Sequence, residues 1–133
     1  VNPGSLPSPT VDGASVNNDN QSQKVSALIT ANAGEKILLR LSNLNVTNYY
    51  TVTTLGLPMR VEGGGAHIAR GPGGKNLYYD TGSVTLGGGE TAEVIVDTAG
   101  VSPGTYFLYT TNLNYLSNND QDFGGMMTEI RVQ

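Results

Sequence analysis

The sequence predicts an all-β fold built as a two-sheet sandwich. Three observations carry that expectation. Short stretches alternate apolar and polar residues with a period of two, glycine- and asparagine-rich turns separate them, and no stretch reads as a long amphipathic helix. Composition agrees: 18 of 133 residues are Gly, Tyr and Thr are plentiful, and only 14% are charged. A chain of this length is one domain with a real core.

Residues 1–23 are rich in Pro, Ser, Asn and Gly and lack apolar periodicity, so they read as an arm or linker ahead of a domain spanning 24–133. An ordered arm would have to be tied down by its own domain or by a neighbour. The first strand is expected over 25–31. Gly34-Glu35 turns into 36–41, where Ile37, Leu39 and Leu41 share one face and Lys36 and Arg40 the other. Residues 49–55 are β-branched and aromatic. A short apolar piece over 59–61 ends at Gly63-Gly64-Gly65. Val84 and Leu86 alternate with Ser83 and Thr85 before Gly87-Gly88-Gly89 turns. Thr91–Asp97 puts Ala92, Val94 and Val96 on one face. Strands over 106–111 and 126–132 close the set. The last places Met126 toward the core and Met127 outward.

Bulk properties exclude several classes. The formal net charge is −4, with no basic footprint for nucleic acid or an anionic membrane. No apolar run approaches the ~20 residues of a spanning helix. Cysteine is absent, which removes disulfides, thiolate metal sites and Cys nucleophiles together. The chain starts at Val1, so it reads as a processed mature chain or an excised piece of something larger.

The order of the strand motifs is more specific than the fold class. Gly34-Glu35-Lys36-Ile37-Leu38-Leu39-Arg40-Leu41-Ser42-Asn43 resembles the Gly-x-x-hydrophobic-x-hydrophobic-Arg-hydrophobic-x-Asn strand of multicopper oxidase domains. Leu57-Pro58-Met59-Arg60-Val61 resembles the strand that follows. Leu86 to Asp97 resembles that family's Leu-x-x-Gly-Glu-x-x-Asp-hydrophobic segment. Gly104-Thr105-Tyr106-Phe107-Leu108 and Gly124-Gly125-Met126-Met127 complete the order. The resemblance covers about 25–133. It implies a cupredoxin-like Greek-key β-sandwich, an extracytoplasmic location, and sister cupredoxin domains as packing partners. A multidomain parent of this kind would be a copper-dependent oxidase.

The resemblance also locates what is missing. Type 1 copper takes two His, one Cys and a weak axial Met. The family's His-Cys-His segment falls on Tyr109, Thr110 and Thr111, its later His falls near Tyr115, and its axial Met falls at Met126 or Met127. The first four supply no copper ligand, so no cofactor, metal-binding or catalytic residue is assigned in this chain. Copper would belong to the multidomain parent. The expected role is structural. The competing expectation is an exported assembly module whose arm pairs with the sheet edge of a neighbouring copy.

Other signals stand beside simpler readings. His67 is the one histidine, and a metal would need partners that composition does not supply, so it reads as an exposed loop residue. One Ser, one His and one Asp suffice for a triad, but no Gly-x-Ser-x-Gly elbow accompanies them. Gly71-Pro72-Gly73-Gly74-Lys75 looks like a phosphate loop, yet Ala69 and Asn76 break the pattern, and a turn before a strand is expected. Asn118, Asp120 and Asp122 have the spacing of a calcium loop, but Phe123 stands where Gly is needed. Asn20 and Asn45 head glycosylation sequons. Seven tyrosines are the main aromatic supply and serve as core, strand edge, or a platform for sugar or a partner.

Overall fold

The computed structural model describes residues 16–17, 20–21, 27–117 and 125–133. Most of the arm over 1–23, and the Asn118, Asp120 and Asp122 segment, lie outside the described residues. β1 (Val16–Asn17) and β2 (Asn20–Gln21) pair with each other, antiparallel.

Ten further strands build the sandwich. They are β3 (Ile29–Ala31), β4 (Lys36–Ser42), β5 (Tyr50–Thr54), β6 (Met59–Gly64), β7 (His67–Ile68), β8 (Tyr79–Thr81), β9 (Ser83–Leu86), β10 (Thr91–Asp97), β11 (Gly104–Thr110) and β12 (Met127–Val132). Leu113–Tyr115 forms a turn of 3₁₀ helix. One sheet has the order β4-β10-β6-β7, with β8 also paired to β6. The other has the order β3-β12-β11-β5-β9. Within these sheets only β3 on β12 is parallel.

The expected alternation decides the layers. Ala92, Val94 and Val96 of β10 point inward and are buried, and Leu39 of β4 joins them from the next strand. Met59 and Val61, Val84 and Leu86, and Ile130 complete a core between the sheets. Fully burying each such side chain contributes about 1.5–3 kcal/mol of transfer free energy. β10 spans the residues expected for it, and β4 runs one residue further, to Ser42.

Two differences from expectation have local causes. β12 begins at Met127: the Met126 carbonyl still accepts from the Thr110 N–H of β11, but the Met126 N–H turns away to the Tyr115 carbonyl in the loop. The glycine run after β6 does more than end a strand. A bulge opposite Glu93–Val94 bends β6, and Gly65 and Ala66 both take left-handed angles, φ 57° and 63°. Two successive left-handed residues make the turn type that matches strand twist, so the chain folds back as β7. Gly63 permits this approach: a Cβ there would lie 2.5 Å from the His67 carbonyl oxygen.

Side-chain latches hold the two ends. The buried Thr98 hydroxyl reaches the carbonyl oxygens of Asn32 and Glu35, at 3.1 and 2.7 Å, fixing the β3–β4 turn to the end of β10. At the opposite end of β4, the buried Asn43 amide donates to the carbonyls of Asn48 and Leu86 and accepts from the Asn45 N–H. Asn43 thereby fastens the 43–49 loop onto β9. The glycines that follow β9 complete the seat, because a Cβ on Gly88 would overlap the Asn45 carbonyl.

Candidate functional site: the loop end of the sandwich

Three segments meet at the Asn43 end: the 43–49 loop, the 110–117 segment after β11, and Gly125–Met126 before β12. Thr110, the last residue of β11, is buried. Its N–H donates to the Met126 carbonyl at 3.0 Å, and its hydroxyl accepts from the Asn112 N–H at 3.3 Å. The Thr111 N–H donates to the Thr51 carbonyl of β5. Asn112 caps the 3₁₀ turn by accepting from the Asn114 N–H. The Met126 N–H donates to the Tyr115 carbonyl at 2.8 Å, and the Gly125 N–H to the Leu116 carbonyl at 2.9 Å. Only glycine suits position 125, since a Cβ would overlap the Tyr115 carbonyl. The Tyr115 ring meets the Tyr50 ring edge to face, with centroids 5.3 Å apart and planes at 73°.

Met126 lines a cavity of about 600 Å³ between the sheets, with Leu41, Asn43, Tyr50, Val52 and Leu86. Met127 lies opposite Tyr109 on the β11–β12 ladder. The structure thus joins Thr110, Thr111, Tyr115 and Met126 at one end of the fold. These residues do not fit type 1 copper. They offer hydroxyls and one thioether where a soft, cuprous-ready site needs thiolate and imidazole. The Thr110 hydroxyl already accepts a backbone hydrogen bond. Among the described residues no cluster of three or more His, Asp or Glu could hold a metal ion.

His67 lies elsewhere. It is exposed, as expected, but it opens β7 rather than sitting in a loop, because the Gly65-Ala66 turn folds it back onto β6. Its Nδ1 faces the Gly65 carbonyl at 2.8 Å, a contact in which Nδ1 donates. It lines a separate cavity of about 350 Å³ with Leu38, Arg40, Glu62, Ile68 and Glu93. No hydrogen bond joins it to a carboxylate among the described residues, so no triad forms there. The grouping of Arg40, Glu62 and Glu93 around His67 was not legible in the sequence, because it depends on the β4–β10 register and on the fold-back of β7 onto β6.

The remaining motifs resolve simply. Gly71–Lys75 is a closed turn: the Gly71 N–H bonds the Lys75 carbonyl, the Gly74 N–H bonds the Gly71 carbonyl, and Arg70 bridges to Asn76. Those N–H groups are consumed within the turn and cannot cradle a phosphate. The Asn45 side chain is also committed. Its oxygen accepts from the N–H groups of Thr47 and Asn48, and its nitrogen donates to the Tyr50 hydroxyl.

Fold and loop end together define a cupredoxin-like domain. The family model for multicopper oxidases matches residues 2–131, and the chain belongs to that family. No curated protein matches it. Among solved structures it resembles the blue copper oxidase from Nitrosomonas europaea, at 24% identity and TM-score 0.63, over 78% of this chain and 30% of that one. It also resembles the laccase from Botrytis aclada, at 18% identity and TM-score 0.60, over 78% of this chain and 18% of that one. A third is the McoA multicopper oxidase from the hyperthermophile Aquifex aeolicus, at 18% identity and TM-score 0.57, over 80% of this chain and 21% of that one. At these identities the likeness is one of fold. The chain corresponds to less than a third of the length of each. No helix among the described residues is long and apolar enough to cross a membrane.

Proposed function

We propose that this chain is a copper-free cupredoxin-like domain whose role is architectural within a multicopper-oxidase-type protein. The observation behind this reading is the loop end of the sandwich. The closure that would carry copper ligands is intact, with Thr110, Met126 and Tyr115 bonded in series, yet hydroxyl-bearing side chains fill it. The loop is held by backbone hydrogen bonds, a capped turn and the Tyr50–Tyr115 pair, so its closure needs no metal. Copper chemistry in the parent would fall to sister domains, and this chain would pack against them. Family membership supports an extracytoplasmic setting.

Metal analysis of the purified chain after incubation with Cu(II) or Cu(I) tests the copper-free part. The expected result is sub-stoichiometric copper, no intense blue absorption, and an unchanged melting temperature with chelator. Stoichiometric copper that survives desalting, and whose removal by chelator lowers the melting temperature, would overturn it.

A further inference from the structure

A third cavity at the same end carries chemistry that the architectural role does not use. It measures about 290 Å³ and lies between the 43–49 loop, the start of β5 and the segment after β11. Its principal walls are Tyr49, Tyr50, Tyr115, Asn48, Thr111 and Asn112. Among the described residues no carboxylate, ammonium or guanidinium group lines it. We propose that this cleft binds a neutral pyranose unit of an oligosaccharide.

Three features support this ligand class. The first is the arrangement of the rings. Tyr50 and Tyr115 brace each other nearly at right angles. Tyr49 is 76% exposed, yet its ring is seated: a Cβ on Gly87 would come within 2.9 Å of Tyr49 Cε1. Glycine at 87 makes room for that ring against the β9 turn. A pyranose presents a C–H face that stacks on such a ring, and stiff aromatic side chains lose little conformational entropy on binding.

The second feature is the set of unused polar groups. The hydroxyls of Tyr49, Tyr115 and Thr111 and the side-chain amide of Asn48 make no hydrogen bond with any described residue. An amide and several hydroxyls offer both donors and acceptors, which is what the vicinal hydroxyls of a sugar require. The third is neutrality. A charged ligand would find no counter-ion among the described residues that line the cleft, whereas an uncharged polyol needs none. A cavity with few, well-placed polar groups between aromatic walls is the ordinary form of a small-ligand site. The cleft shares Thr111 and Tyr115 with the positions of the family's copper ligands, but sugar titration and metal analysis read the two proposals separately.

The test is a calorimetric or NMR titration of the purified chain with cellotetraose, maltotetraose, mannotetraose and chitotetraose, with tetragalacturonate as the charged control. At least one neutral probe is expected to bind with a millimolar or tighter Kd, and the charged one to fail. Tyr49→Ala is expected to weaken binding about tenfold or more. Gly87→Ala, which displaces the Tyr49 ring, is expected to act in the same direction. Tyr79→Ala, at an exposed tyrosine on β8 outside the cleft, should leave binding unchanged. Thermal melting of each variant separates lost binding from lost fold. No binding by any neutral probe at millimolar concentration overturns the proposal. So does unchanged binding in both Tyr49→Ala and Gly87→Ala, or equal binding of the charged control, which would indicate nonspecific association.

Discussion

Asn43 shows how a motif position becomes a physical requirement. In the sequence it is the last letter of a strand pattern. In the fold it is buried, with its amide donating to two carbonyls and its oxygen accepting one N–H. Aspartate in its place would offer acceptors to acceptors, and alanine would leave both carbonyls and the Asn45 N–H searching for partners. Leaving buried polar groups unpaired costs about 1–3 kcal/mol. Asn43→Ala is therefore expected to destabilise the chain by about 2 kcal/mol in denaturant unfolding. The loss should appear first as faster amide exchange over 43–49, the loop that Asn43 fastens. A loss under about 0.5 kcal/mol, the scale of ordinary surface changes, would show that water replaces the amide there. The same reasoning applies at the positions on which the family's copper ligands would fall. Thr110 is buried but satisfied, and Met126 bonds through its backbone on both sides.

At the scale of elements, the strands with a clean period of two were legible and the shortest were not. β10 matched its expected span because Ala92, Val94 and Val96 alternate with polar residues over its whole length. β11 begins earlier than the apolar pattern suggests, since Gly104 and Thr105 are held by pairing with Val132 and Arg131 rather than by burial. β7 and β8 escaped notice because two or three residues carry no periodicity. They exist only through pairing with β6. The tyrosine cleft escaped for a related reason: Tyr49 and Tyr115 belong to separate elements, and only the β5–β11 pairing brings their segments together. The β3–β4 turn and its neighbours also set the response to acid. Glu35 is held below the ordinary carboxylate value chiefly by the Asn32 N–H, then by the Asn32 side chain. Asp97 is held low chiefly by the Ala99 N–H, then by Lys36 at 3.2 Å. A depressed folded value means the unfolded chain binds protons first on acidification. The stabilisation is therefore present above the unfolded value and is lost as pH falls through the folded one. Both groups are exposed, so the effect is small. Melting temperature is expected to fall below the ordinary carboxylate range, and less steeply in Glu35→Gln/Asp97→Asn. Parallel profiles for wild type and variant would remove these two groups from the acid response.

At the scale of the whole molecule, the proposed architectural role would use the outer face of the β4–β10–β6 sheet. Leu38 and Ile95 lie opposite each other across β4 and β10, and Leu38 and Ile68 are about half exposed beside the His67 cavity. Arg40, Glu62 and Glu93 line the same cavity and form no ion pair among the described residues. Interdomain surfaces mix apolar and polar groups in this way and bury about 600–1,500 Å². Among the described residues β4 ends its sheet, and its edge is a poorer place for strand pairing because Lys36 and Arg40 put charge beside it. This separates packing through a face from pairing through an edge. Leu38→Glu in the isolated chain is a surface change and should shift stability by no more than about 0.5 kcal/mol. In the full-length protein it would place a carboxylate, beside Glu62 and Glu93, into a surface that must dehydrate on packing. The expected result is a melting temperature lowered by about 2–4 °C for each kcal/mol lost and greater protease sensitivity between domains, with the isolated chain unaffected. Equal stability of the full-length wild type and variant would move the packing surface away from this sheet. An equal loss in the isolated chain would instead make Leu38 part of the domain's own fold.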